Sequence, residues 1–125
     1  MCYIQIMNDP LYHERLMDHY YAPRNFGLRN NLGLTTKGAN PLCGDSITVQ
    51  LLVCNGIIMD LAFEHEGCVV SRAAASLSGE FVKLQKTATI RTMKALDMLQ
   101  TLNMRISPGR IKCATLFFDT IHKVL

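Results

Sequence analysis

Between residues 46 and 66 apolar and polar side chains alternate, the period-two signature of strands with one buried face. In "SITVQLLVC" Ile47, Val49, Leu51 and Val53 share a side, and in the next stretch Met59, Leu61 and Phe63 oppose Asp60 and Glu64. The "NG" pair at 55–56 is the strongest short hairpin signal, because both residues tolerate the positive φ of a two-residue turn. After Gly67 the period lengthens: Val70, Ala74, Leu77, Phe81 and Leu84 recur at helical spacing through "CVVSRAAASLSGEFVKL". Ala73, Ala74, Ala75 and Ser76 in this helix are small enough to let it approach a sheet closely.

Further helices are predicted on both sides. "NDPLYHERLMDHYYAP" puts Tyr12, Leu16 and Tyr20 on one face, with Asp9 as N-cap, Pro10 at the first helical position and Pro23 as the stop. Residues 24–42, rich in Gly and Asn, read as loop with a short edge strand at about 32–36. Met93, Leu96 and Leu99 predict a helix over about 90–102. "SPG" at 107–109 breaks the chain, "RIK" runs extended, and a last helix from Cys113 carries Phe117, Ile121, Val124 and Leu125. The expected fold is α+β: a small antiparallel sheet of about three strands packed with helices, forming a single domain over 1–125.

Composition narrows the function. With 125 residues and 49% hydrophobic content there is material for one core. No apolar run approaches the ~18 residues of a membrane span. "MCYIQI" lacks the basic start and apolar core of a secretory signal, so a cytoplasmic protein without a membrane partner is expected. The net charge of +3 is unevenly spread: residues 1–82 hold 5 Lys/Arg against 8 Asp/Glu, residues 83–125 hold 8 against 2. The basic residues are scattered and no aromatics interleave with them, so they read as a solvated face rather than a nucleic-acid surface.

Five cysteines, at 2, 43, 54, 68 and 113, are an odd count at irregular spacing, which argues against a disulfide framework and for metal ligands or reactive thiols. An undistorted hairpin around Asn55-Gly56 pairs Cys54 with Ile57 and, further out, Cys43 with Cys68, at Cα separations of about 5 Å. Two thiolates so placed can share one metal. Asp45 lies on Cys43's side of the extended segment, with Gly44 between them. Cys68 and Cys113 each fall where a helix is expected to start, where free N–H groups favour a thiolate, and Lys112 adds a charge beside Cys113. Three soft sulfurs suit zinc or an iron–sulfur cluster, and a lone carboxylate makes one corner weaker, as suits a cargo meant to leave. Of the rest, Cys54 reads as packing and Cys2 as a terminal thiol. His13, His19 and His122 read as surface or satisfied core groups. His65 is the one histidine that could approach the metal, and Arg72 is either a charge near the site or simply exposed.

The segments "LMDHYYAPRNFG", "NPLCGDSITVQL", "FEHEGCVVSRAAASL" and "RIKCATL" together resemble the U-type iron–sulfur cluster assembly scaffolds, the IscU/NifU/SufU-like proteins. The resemblance implies a compact α+β fold in which Cys43, Asp45, Cys68 and Cys113 hold a transient [2Fe-2S] cluster, iron, or zinc. It implies a cysteine desulfurase as sulfur donor, apo iron–sulfur proteins as recipients, and a chaperone as a further partner. Lys112 stands where the IscU branch has histidine, and "MRISPGRIKC" does not reproduce that branch's chaperone-recognised Leu-Pro-Pro-Val-Lys segment. Lysine before "CATL" is similar to the SufU branch, which carries a longer segment between its second and third cysteines. Three functions follow. The leading one is a non-enzymatic scaffold with Cys113, then Cys43, as persulfide acceptors. The alternatives are a zinc-dependent sulfurtransferase and a structural zinc module that only binds a partner. A cysteine hydrolase is disfavoured, since no motif places a histidine as general base.

Overall fold

The computed structural model describes the backbone of residues 10–125 and the side chains from Glu14 onward. The expected cap Asp9, the side chains of Tyr12 and His13, and Cys2 lie outside the described residues. Helix α1 (Pro10–Tyr21) leads to an antiparallel sheet of β1 (Leu34–Asn40), β2 (Asp45–Cys54) and β3 (Ile57–Glu66), in that spatial order. Then follow α2 (Val69–Val82), α3 (Thr87–Thr92), α4 (Ala95–Thr101), a 3-10 turn (Pro108–Arg110), α5 (Ile111–Ala114) and α6 (Leu116–Ile121). No helix among the described residues is long and apolar enough to cross a membrane.

The alternation in β2 does what its period demands: Ile47, Val49 and Leu51 are buried on the face that meets α2 and α6. Phe63 on β3 is the hub, with Phe26 and Phe117 edge-on to its ring at centroid distances of 5.3 and 6.2 Å. Burying each such side chain is worth roughly 1.5–3 kcal/mol. Helix α2 presents Ala73, Ala74, Ala75 and Ser76 inward, all fully buried. At Gly79 a Cβ would already stand 3.2 Å from Cδ1 of Leu61, so this helix–sheet contact depends on small residues.

The structure corrects the strand register. Cys54 pairs with Ile57 and Val53 with Ile58, but Leu52 then pairs with Asp60, leaving Met59 as an extra residue. The cause lies in β3 itself. Ile58 and Leu61 are both fully buried, and residues three apart cannot share a strand face unless one residue is added between them. Met59 is consequently turned outward and 42% exposed, not inward with Leu61 and Phe63. Every pair beyond the bulge is shifted by one, so Cys43 is not opposed to Cys68, and β2 begins only at Asp45.

Other expectations also shift. The edge strand is Leu34–Asn40 rather than 32–36 and runs up to the cysteine loop. Helix α2 stops at Val82, and Leu84, expected on its stripe, has a φ of 70° and is 66% exposed. The helix expected over 90–102 is two helices, because Met93 and Lys94 are extended and the Lys94 N–H donates to Oδ2 of Asp97 (3.4 Å), starting a new helix. Within α4 the buried residues are Met98 and Leu99, and Leu96 is exposed. "RIK" is not extended: Arg110 ends the 3-10 turn and Ile111 and Lys112 lie in α5.

Candidate metal centre

Three connections converge at one end of the sheet. The first is the loop 41–44 between β1 and β2, closed by the Asn40–Asp45 pair and by a bond from the Cys43 N–H to the Asn40 carbonyl (3.2 Å). Gly44, at φ 69°, supplies the left-handed residue that returns the chain into β2. Cys43 thus sits exposed at the loop's end, while Asp45 opens β2 and is only 2% exposed.

The second is the step from β3 into α2. Cys68 is the N-cap of α2, and its sulfur accepts the Ser71 N–H (3.4 Å). The buried Asp45 carboxylate spans the gap between strands: Oδ1 accepts the Cys68 backbone N–H (2.8 Å), and the Cys68 thiol faces Oδ2 at 3.8 Å. One carboxylate therefore satisfies a free donor at the start of a helix and keeps an oxygen for a ligand.

The third is α5, where Cys113 is 1% exposed and its sulfur lies 2.9 Å from that of Cys43. The side-chain amide of Asn40 donates to the same sulfur at 3.6 Å. Cys113, expected from the sequence to begin the last helix, does not begin it. It lies inside α5, one turn before α6, because Thr115 (φ −100°, ψ 2°) interrupts the helix between them. Burial, followed by the hydrogen bonds with Cys43 and Asp45, pushes the Cys113 thiol's pKa up, the opposite of the effect expected from a helix start.

Ligand atoms of Cys43, Asp45 and Cys113 all lie within 4.8 Å of one another, a compact set of two soft sulfurs and one hard oxygen. Cys68 is outside that triad, with its thiol in contact with Oδ2 of Asp45. Two cysteine sulfurs and a carboxylate that already converge, with a third thiol in contact with the carboxylate, fit the donor chemistry of zinc or of cluster iron, which would hold the sulfurs as thiolates. His65 turns elsewhere: its Nε2 meets Oγ of Ser71 at 2.8 Å, and burial, then Arg72, lowers its pKa. Cys54, expected to pack, is exposed beside its turn and takes no part in the cluster. Lys112 is exposed, and Arg72 is half-buried between the rings of Tyr20 and Phe26. Sequence reasoning missed Asn40 as a neighbour of the site. Its signal was a polar side chain two residues before "LCGD", which the reading of residues 24–42 as loop left without a role.

A three-stranded antiparallel sheet that gathers a cysteine loop, a cysteine-capped helix and a buried cysteine around one carboxylate defines a class: a small α+β domain with a thiolate–carboxylate site. The chain belongs to the NifU-like N terminal domain family, whose model matches residues 11–125. It is 34% identical to the zinc-dependent sulfurtransferase SufU of Bacillus subtilis, over 92% of this chain and 89% of that protein. It is 36% identical to the iron–sulfur cluster assembly scaffold protein IscU of Escherichia coli, over 91% of each chain. The N-terminal part of a NifU-like protein from Brucella abortus has the same fold, with a TM-score of 0.73 at 20% identity, over 94% of this chain and 93% of that one.

Proposed function

We propose that this chain is a scaffold for iron–sulfur cluster assembly. It accepts sulfur from a cysteine desulfurase, holds iron and a transient [2Fe-2S] cluster, or zinc at rest, on Cys43, Asp45, Cys68 and Cys113, and passes the cargo to apo-proteins. The observation that carries this reading is the pairing of an exposed sulfur, Cys43, with a buried one, Cys113, 2.9 Å away and beside Asp45. Relatives named as assembly scaffolds support it across nearly the whole chain. A sulfur donor and recipient proteins are the partners that such a role requires.

The chemistry follows from accessibility. Cys43 is the sulfur a donor protein reaches first. Its thiolate attacks the terminal sulfur of the donor's persulfide, and the donor leaves as a thiolate. Cys113 then attacks the terminal sulfur now on Cys43. The bond to Cys43 breaks, a new S–S bond forms at Cys113, and the Cys113 proton ends on Cys43, with no net change of oxidation state. Both candidate acceptors are used, with the exposed one first. Metal held at these ligands supplies a positive centre that keeps the thiols deprotonated.

A second reading, a zinc-dependent sulfurtransferase, is favoured by the "IKCATL" segment around Cys113 and by the SufU relative. One anaerobic experiment separates the two. The protein is incubated with a cysteine desulfurase, cysteine, ferrous iron and a thiol reductant, and apo-ferredoxin is then added. Activation of the ferredoxin that is lost in Cys43→Ser and Cys113→Ser identifies the scaffold. Persulfide on the protein with zinc retained and no deliverable cluster identifies the sulfurtransferase.

A further inference from the structure

Cys113 is a poor place for a negatively charged sulfur. It is fully buried, Asp45 shares its cluster, and Cys43 is 2.9 Å away. Unpaired charge in such surroundings is costly. Yet a persulfide stored there carries its charge on sulfur. One neutral donor among the described residues is directed at that position: Nδ2 of Asn40, 3.6 Å from Cys113 Sγ, on a side chain that is 7% exposed.

The placement of Asn40 is fixed from two directions. It ends β1 in register with Asp45, the first residue of β2, so the strand pair sets its position. Its backbone carbonyl accepts the Cys43 N–H at 3.2 Å, which ties the same residue to the other sulfur of the pair. Asn40 therefore touches both cysteines with different groups: the main chain holds the exposed one in its turn, and the side chain donates to the buried one. It also lines a cleft of about 410 Å³ with Pro41, Leu42, Lys112 and Leu116.

From this geometry we infer that Asn40 is a positioning residue that decides where transferred sulfur rests, its amide donating to an anionic sulfur species at Cys113 and so drawing sulfur inward from Cys43. This rests on the sulfur-accepting role proposed above and adds a direction to it. The exchange is reversible and forms the same kind of S–S bond that it breaks, so a hydrogen bond available at only one of the two sulfurs shifts the outcome toward it and offsets the cost of burial there. Because hydrogen bonds to charged groups are stronger than neutral ones, the bias expected is roughly tenfold in the ratio of the two persulfides.

The test uses inorganic polysulfide as the sulfur source, so that it needs no protein donor. Metal-free protein is briefly exposed to polysulfide, trapped with an alkylating agent and digested, and the persulfide on the Cys43 and Cys113 peptides is quantified by mass spectrometry. In the unaltered protein Cys113 is expected to carry most of the sulfur. Asn40→Ala and the isosteric Asn40→Asp, which retain the backbone carbonyl but lose the donor, should shift the ratio toward Cys43 about tenfold or more. An unchanged ratio in Asn40→Asp, with an unchanged melting temperature, overturns the inference. If Asn40→Ala unfolds, Asn40→Asp alone decides, and Asn40→Gln, which restores an amide, should recover part of the ratio. Failure of the desulfurase experiment alongside a shifted polysulfide ratio would refute the scaffold reading and leave the role of Asn40 standing.

Discussion

Gly67 and Asp45 lie so close that no side chain fits between them: a Cβ on Gly67 would stand 2.0 Å from Oδ1 of Asp45 and 2.8 Å from its Cα. Gly67 also adopts a φ of 141°, which L residues rarely enter. The absence of a side chain is what allows the Asp45 carboxylate to reach across to the start of α2. Gly67→Ala is expected to destabilise the fold by about 2 kcal/mol or more and to displace the carboxylate. Denaturant unfolding should show the loss of stability, and the zinc stoichiometry of the folded fraction should fall with it.

Thiol reactivity should report the site's geometry without any partner protein. Cys43 and Cys54 are exposed and Cys113 is buried, so a maleimide should label the first two fast and Cys113 last. Adding one equivalent of zinc should protect Cys43 and leave Cys54 unaffected. Rapid labelling of Cys43 in the zinc-loaded protein would remove it from the ligand set. Cys54→Ser should change neither stability nor sulfur acceptance.

Removing metal should leave the domain folded. The core around Leu51, Leu61, Phe63 and Phe117 is built from the sheet, α2 and α6, and none of these four residues is a member of the cysteine cluster. Zinc at one hundred times its dissociation constant should add about 2.7 kcal/mol, and chelation should return the protein to its apo melting temperature with a cooperative transition intact. Collapse of the fold on chelation would instead mark a structural zinc module.

Stability should decline below neutral pH. His19 is buried between α1 and α2 with Nδ1 2.7 Å from Oγ of Ser76, and burial, then Arg24, lowers its pKa below the ordinary 6.5. The neutral ring is the native form, so its contribution is complete above about pH 6.5, where both states bind no proton. It is lost as pH falls from there through the lower folded value, since the unfolded chain takes up the proton first. His65 is shifted in the same direction. His19→Gln should therefore reduce, without abolishing, the slope of stability against pH between about 6.5 and 5.

Arg72 joins three elements near the site. Its guanidinium lies 5.4 Å from the Tyr20 ring centroid and 5.2 Å from that of Phe26, and Nη2 donates to the His65 carbonyl at 3.2 Å. Lysine keeps the charge but loses the planar face and the fork of donors. Arg72→Lys is expected to cost about 1–2 kcal/mol, read by urea titration.

The local elements were legible in the residues themselves. Alternation at Ile47, Val49 and Leu51 and the Asn55-Gly56 turn specify a hairpin, and the Ala-rich run after Gly67 specifies a helix able to lie close against it, because these are short-range properties of period and backbone freedom. Cys43, Asp45 and Cys68 stand out as ligand candidates because each lies beside Gly44 or Gly67, whereas Cys113, with no glycine next to it, stands out only as a cysteine expected at a helix start. Other features depended on contacts between distant residues. Whether Ile58 and Leu61 both face inward is settled by the core they enter, and that choice creates the bulge, shifts the register by one and places Gly67 rather than Glu66 against Asp45. The burial of Cys113 and the donor from Asn40 arise from α5 packing beside β1, a contact between positions 73 residues apart. No local pattern encodes it, because packing of surfaces brought together by the whole chain determines which of two neighbouring thiols meets solvent and which does not.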